Sequence, residues 1–278
     1  MQTVRELLQF ASARLGASDT PRLDAEVLLA AVLGTDRSRL YAHPEMAAPQ
    51  GSSADFLRLL NNRGNGFPVA YLTGEKEFRS ITFRVNRHTL IPRPETELVV
   101  EAAMERIPAQ YRSRVLDLGT GSGAIAVAVA SERPDCAVTA VDLSIDALAV
   151  ARENAATNHV ANISFEQSDW FGSLHNRRFD AIICNPPYVR YPDTGLPPEE
   201  IRYEPRLALD GGHDGTACIR IVIASGLRHI NPGGFIIIEH AHNQGGFVRE
   251  QFRTNHYRNI TTSLDHAGHE RYTRAFRA

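Results

Sequence analysis

Arg114-Val115-Leu116-Asp117-Leu118-Gly119-Thr120-Gly121-Ser122-Gly123 is the stretch that decides the fold. Its first five residues read as an apolar strand and its alternating glycines as a tight turn. Ala124 to Ala130 follows as an unbroken small-apolar run, suited to a helix packed against a sheet. Glycines let backbone approach a ligand closely, with the helix N-terminus just beyond. The next apolar pattern, Ala137 to Val141, ends in Asp142, about 20 residues past the loop, where an acid can hold ribose hydroxyls. Strand, loop, helix, strand and acid in this order predict a nucleoside-binding half-fold. Ala124 stands three residues after Gly121, which the dinucleotide fingerprint tolerates, so the glycine spacing alone leaves a nicotinamide cofactor open.

Downstream, Ile163-Ser164-Phe165-Glu166 reads as a third strand. Ser168-Asp169-Trp170-Phe171 after it offers an acid and an aromatic that could frame an adenine ring; ordinary edge packing is the plainer role for Trp170. Phe179 to Cys184 is a further strand, and Asn185-Pro186-Pro187-Tyr188 ends it. Each proline locks φ and removes an N–H donor, leaving a rigid turn. Such a turn suits a planar –NH2 group. The Asn185 side-chain oxygen and the Pro186 carbonyl would accept its two hydrogens while Tyr188 stacks on its face. Alone, the four residues read equally well as a proline-rich strand cap. Behind a nucleoside-binding half-fold, they fit a methyl donor facing an amino-group acceptor.

The chain has 278 residues, 43% of them hydrophobic, and a formal net charge of −2. That length predicts one large domain plus a smaller one, and that charge supplies no global basic field for nucleic acid. Lys76 is the one lysine. No signal peptide and no apolar stretch of about 18 residues is evident, so a cytoplasmic protein is expected. Cys136, Cys184 and Cys218 lack CxxC spacing, which argues against disulfides. Cys184 reads as a buried structural thiol. His240-Ala241-His242 and His266-Ala267-Gly268-His269 come closest to ligand spacing, but no cysteine or carboxylate pattern accompanies them, and no metal is expected.

The first 66 residues read as helices. Val4, Leu7, Leu8, Ala11 and Leu15 recur at helical spacing. Thr20 is placed to cap a second helix with Pro21 at its first position and an apolar face of Leu23, Val27, Leu28, Ala31 and Val32. Ala54 to Leu60 suggests another. Residues 67–93 form a strand-containing connector, and Pro94 opens a helix running through Met104. Strands and helices then alternate through 94–278, the pattern of an α/β doubly wound sheet, with Ile260–Leu264 and Tyr272–Phe276 closing as a hairpin.

Assembled, these motifs resemble the protein-(glutamine-N5) methyltransferases of the HemK/PrmC family, which act on peptide-chain release factors. The resemblance covers nearly the whole chain. It rests on Pro68-Val69-Ala70-Tyr71-Leu72-Thr73-Gly74-Glu75, Leu90-Ile91-Pro92-Arg93-Pro94-Glu95-Thr96-Glu97, Asp117 to Gly123, Ser168-Asp169-Trp170, Asn185 to Tyr188 and Arg202-Tyr203-Glu204-Pro205. It implies a Rossmann-like class I fold dependent on S-adenosyl-L-methionine, with a small helical N-terminal domain that helps seat the release factor. Gly119, Thr120, Gly121, Ser122, Gly123, Asp142 and Trp170 are implied contacts of S-adenosyl-L-methionine, with Asn185 near the donor as well. Asn185, Pro186, Pro187 and Tyr188 are implied to hold the acceptor, with Asn185, Pro186 and Tyr188 catalytic. The implied target is the glutamine of the Gly-Gly-Gln loop of class-1 release factors, which modulates translation termination. No direct nucleic acid, membrane or metal partner is implied.

Glutamine methylation of a ribosomal protein is the nearest alternative, since it can use the same turn. DNA adenine-N6 methylation is a second, but such an enzyme flips its base and holds a duplex, and the net charge of −2 argues against it. A nicotinamide-dependent oxidoreductase would leave Asn185 to Tyr188 without a role.

Overall fold

The computed structural model describes residues 2–190 and 201–278. The chain divides into two compact units, one containing residues 2–75 with 201–203 and the other 76–190 with 204–278.

The first unit holds five helices, α1 (Val4–Arg14), α2 (Pro21–Leu33), α3 (Arg37–Ala42), α4 (Ser52–Gly64) and α5 (Val69–Thr73). A capping box opens α1: the Glu6 N–H donates to Thr3 Oγ1 at 3.3 Å, and the Thr3 N–H donates back to Glu6 Oε2 at 2.8 Å. Val4, Leu7, Leu8, Ala11 and Leu15 are all buried, as their spacing predicts. They meet Leu28, Leu29, Leu40, Phe56 and Leu60 in one core, where each fully buried large apolar side chain contributes about 1.5–3 kcal/mol.

α2 departs from the expected face. Of the five residues assigned to it only Leu28 is buried, while Leu23 is exposed; the helix instead buries Asp24, Ala25, Glu26, Leu28, Leu29 and Ala30. The two carboxylates explain the rotation. Asp24 accepts from Arg63 Nε at 2.7 Å and from the Ser18 hydroxyl at 2.7 Å. Glu26 accepts from Arg22 Nε at 2.6 Å, Arg37 Nη2 at 2.9 Å and the Tyr41 hydroxyl at 2.5 Å. A buried charge is tolerable when it is paired and bonded in this way. Thr20, the expected cap, donates its hydroxyl to Asp24 Oδ1 at 3.0 Å.

The second unit begins with a hairpin of β1 (Glu75–Phe78) and β2 (Ile81–Arg84). Arg79 and Ser80, both at positive φ, make its turn. Then follow α6 (Pro94–Met104), β3 (Arg114–Leu118), α7 (Ala124–Glu132), β4 (Ala137–Asp142), α8 (Ile145–Thr157), β5 (Ile163–Gln167), β6 (Phe179–Cys184), α9 (Ala217–Gly226), β7 (Ile230–Glu239), α10 (Gly245–Thr254), β8 (Arg258–Leu264) and β9 (Glu270–Phe276). Seven strands form one sheet in the order β5-β4-β3-β6-β7-β9-β8. The first five are mutually parallel, and β9 runs antiparallel to β7 and to β8. The closing hairpin is β8–β9, as expected, and its insertion makes the sheet mixed.

The central strands β3 and β6 and the second half of β7 read as near-continuous apolar runs because both faces are covered, whereas the edge strands β5 and β8 are only partly buried. Ala181 and Ile183 of β6 pack with α6 and α7 residues such as Val99 and Val127, whereas Ile182 and Cys184 pack with Ile219 of α9 and Phe252 of α10. From β3 the chain first builds outward through β4 and β5, then returns to build the other way through β6 and β7. The C-terminal ends of β3 and β6 therefore flank a topological switch point, where open α/β sheets bind ligands. Among the described residues no helix is long and apolar enough to cross a membrane, and the three cysteines are free thiols.

Candidate active site

A cavity of about 610 Å³ opens at these strand ends, and Gly119, Gly121, Asp142, Trp170, Asn185 and Pro187 all line it. Four separate strand ends thus bring six of the sequence-predicted residues to one space. The glycine loop is held from β4: the N–H groups of Gly119 and Thr120 both donate to the Val141 carbonyl at 2.9 Å. Gly119 and Gly121 have φ of 74° and 55°, and a Cβ at either would meet no protein atom within 4 Å. The backbone here is bare toward the cavity, so a ligand can lie directly against it.

Thr120, Ser122 and Gly123 stand behind that wall. Thr120 is buried and donates its hydroxyl to Asp117 Oδ2 at 2.7 Å. The Ser122 carbonyl accepts from Asn154 Nδ2 at 2.8 Å, and the Gly123 N–H donates to the Thr120 carbonyl at 2.8 Å. Asn154, fully buried, also exchanges hydrogen bonds with the Arg84 backbone, tying the β1–β2 hairpin to the loop.

Asp142 accepts the Gly121 N–H through Oδ2 and the Ser144 N–H through Oδ1, each at 2.9 Å. Burial raises its pKa, and the bonded N–H groups oppose the shift. Trp170 has φ of 49°, a left-handed conformation uncommon for a bulky residue. The Ser168 hydroxyl donates to its carbonyl at 2.8 Å, and its ring is partly buried against Leu118, Val141 and their neighbours.

Pro186 is buried, while Asn185, Pro187 and Tyr188 are partly buried. Asn185 Nδ2 donates to Thr96 Oγ1 at 3.0 Å. Thr96 in turn donates to Glu239 Oε2 at 2.7 Å, and the Tyr188 hydroxyl donates to Glu239 Oε1 at 3.1 Å. The Tyr188 carbonyl accepts from Gln244 Nε2 at 3.1 Å. Burial pushes the Tyr188 phenol well up, with the Glu239 charge adding to it.

Three side chains here carry no role in the sequence reading. Asp117 is buried beneath the glycine loop with its carboxyl pushed up to about 7 by burial. Its Oδ1 is a buried oxygen without a hydrogen-bond partner among the described residues. Glu239 is also raised to about 7 by burial. Thr96 lies in the first turn of α6. Asp117, Asp142 and Glu239 share a signal that was available: each is an acid at or near the end of an apolar strand, and parallel strand ends converge on the site.

Cys184 is fully buried, and its Sγ donates to the Leu118 carbonyl at 3.2 Å. Burial raises its thiol well above the usual range, in keeping with a structural thiol. His240 is buried and bonds the Ala241 carbonyl and Thr273 hydroxyl, both at 2.9 Å, so it belongs to the β7–β9 packing.

Two family models match the sequence: the methyltransferase small domain over residues 96–196, and the PrmC N-terminal domain over residues 6–74. The release factor glutamine methyltransferase of Salmonella typhimurium is 44% identical over 94% of each chain. That of Escherichia coli is 42% identical over 96% of each chain. Among solved structures, a methyltransferase from Pyrococcus furiosus superposes with a TM-score of 0.54 at 19% identity, covering 81% of this chain and 98% of its own; this likeness speaks to the class I methyltransferase fold. On its near full-length identity to these enzymes, the chain belongs to the release factor glutamine methyltransferase family.

Proposed function

We propose that this chain transfers a methyl group from S-adenosyl-L-methionine to the side-chain amide nitrogen, N5, of the glutamine in the Gly-Gly-Gln motif of class-1 release factors. The observation that carries the reading is the placement of Asn185. It lines the same cavity as the bare glycine loop and Asp142, with its amide nitrogen engaged by Thr96. Its Oδ1 is thereby left to accept a substrate N–H.

The donor set suits the nucleoside. Asp142 offers carboxylate oxygens to a ribose and Trp170 an aromatic face to an adenine. When bound, S-adenosyl-L-methionine would supply an electrophilic methyl on a sulfonium, leaving as S-adenosyl-L-homocysteine when its S–methyl bond breaks, while water takes the proton that the amide nitrogen loses. A carboxamide nitrogen is a poor nucleophile because its lone pair is delocalised into the carbonyl. Accepting one N–H at Asn185 Oδ1 and the other at the Pro186 carbonyl raises electron density on that nitrogen and orients it. Tyr188, its ring anchored through the bond to Glu239, packs on the amide face. Positioning and a partly desolvated cleft supply most of the acceleration.

We assign the helical segment 1–66 to docking of the release factor. The PrmC N-terminal domain match supports this, as does the exposure of Phe10, Leu23, Tyr41 and Leu57 on its helices. A cytoplasmic site of action follows from such a partner; direct contact with nucleic acid, membrane or metal has no part in the reading.

The test is methyl transfer from labelled S-adenosyl-L-methionine to a purified release factor, beside a Gly-Gly-Ala variant and duplex DNA. Label on the intact factor alone is expected. Label on DNA, or equal label on the Gly-Gly-Ala variant, would overturn the assignment.

A further inference from the structure

Glu239, Thr96 and Asn185 come from three elements, the end of β7, the first turn of α6 and the turn after β6, yet they form one hydrogen-bonded chain. Glu239 is 0% exposed and Thr96 4% exposed, so water does not compete for these bonds. We propose that Glu239, acting through Thr96, is the positioning residue that fixes which end of the Asn185 amide faces the acceptor. The proposal rests on the reading that Asn185 Oδ1 accepts a glutamine N–H.

In its ionised form the Glu239 carboxyl has only acceptor sites, whereas a hydroxyl has one proton and two lone pairs. With Thr96 donating to Glu239 at 2.7 Å, only lone pairs remain on Oγ1 for Asn185. Nδ2 meets them favourably; Oδ1 would not. A flipped Asn185 would set oxygen against oxygen at Thr96 and aim its own NH2 at the NH2 of the acceptor, donor against donor. The orientation that transfer needs is therefore set by a carboxylate that never touches substrate. The other oxygen of the same carboxylate takes the Tyr188 hydroxyl at 3.1 Å, so one buried group holds two walls of the acceptor site. This is an electrostatic preorganisation device, with satisfied buried polar groups locking one geometry.

Thr96→Val keeps the side-chain shape and deletes the hydroxyl, Thr96→Ser keeps the hydroxyl, and Glu239→Gln lets only one of the two hydroxyls still donate to an oxygen. For Thr96→Val we expect kcat to fall by about 30-fold or more with KM for both substrates within about threefold, the split expected of an interaction that matters in the transition state. Thr96→Ser should recover kcat to within about fivefold of wild type. Glu239→Gln should lose about tenfold, and the Thr96→Val/Glu239→Gln pair should fall no further than Thr96→Val alone, because both cut one chain.

Hydrogen exchange of the Asn185 side-chain amide, followed by NMR without substrates, is expected to accelerate about tenfold in Thr96→Val and to stay near wild type in Thr96→Ser. Absence of wild-type transfer to a release factor would defeat the functional reading, while the exchange measurement still decides the positioning role. Unchanged exchange in both Thr96→Val and Glu239→Gln, or a Thr96→Val kcat within about threefold of wild type on an acceptor that the wild type modifies, would overturn the proposal.

Discussion

Asp142 Oδ2 accepts the Gly121 backbone N–H at 2.9 Å, so the acid at the end of β4 and the glycine loop after β3 form a single ledge along the cavity. Replacing Asp142 by Ala removes both the ledge's internal bond and the carboxylate offered to a ribose. The dissociation constant for S-adenosyl-L-methionine is expected to rise at least tenfold, about 1.4 kcal/mol or more. Calorimetry measures it directly, and an unchanged affinity would remove the ribose role.

Asn185→Ala deletes one acceptor of the substrate amide while sparing the strands that carry it. Loss of one preorganised hydrogen-bonding group at a reacting centre costs about 100- to 1,000-fold in kcat. We expect a loss of that order with far-ultraviolet circular dichroism unchanged. Near-normal turnover would show that the turn does not grip the acceptor.

Stability should carry a pH signature from Asp117. Burial lifts its folded pKa from 3.8 to about 7. A raised folded pKa means that the favourable contribution is complete below the unfolded pKa and is lost as pH climbs toward the folded one. Between pH 4 and 7 the unfolded chain ionises this group while the folded chain keeps the proton, so stability falls across that window by up to roughly 3–4 kcal/mol. Asp117→Asn retains an oxygen for Thr120 and Ala126 and has no proton to lose. Urea unfolding at pH 4.5 and 7.5 should therefore show the Asn variant gaining on wild type as pH rises; a constant difference would refute the assignment.

Glu204 sits buried against the Leu90–Glu97 segment. It pairs with Arg93 and accepts the Ile91 N–H at 3.2 Å. Glu204→Ala leaves both donors without this acceptor, at a cost of about 2–3 kcal/mol, and loosens the segment that carries Thr89 and Leu90 to the cavity wall. A lowered melting temperature and weaker S-adenosyl-L-methionine binding are expected together. A melting temperature equal to wild type would show the clamp to be dispensable.

Local signals in the sequence carried most of the sheet. β3, β4 and β6 were legible because strands covered on both faces are largely apolar and turn residues mark where they stop, and the edge strand β5 showed as Ile163 and Phe165 alternating with Ser164 and Glu166. α3 and α5, at six and five residues, are too short to show a period. The face of α2 was misread because its buried side includes Asp24 and Glu26, whose partners Arg63, Arg37 and Tyr41 lie elsewhere in the chain.

The sequence by itself determined the α/β class, the order of its strands along the chain, the glycine loop, the acid at Asp142 and the proline turn at Asn185. Each is written in neighbouring residues and needs only short-range sterics and hydrophobic period to be read. Tertiary structure alone decided that Asp117 lies orphaned beneath the loop and that Thr96 meets Glu239 across 143 positions of sequence. It also decided that Thr120, Ser122 and Gly123 brace the cavity wall from behind. Those facts depend on which strand ends the doubly wound sheet sets side by side, and on burial that makes a lone carboxylate oxygen or a single hydroxyl proton consequential. Neither strand order in space nor burial is a property of any local stretch of residues.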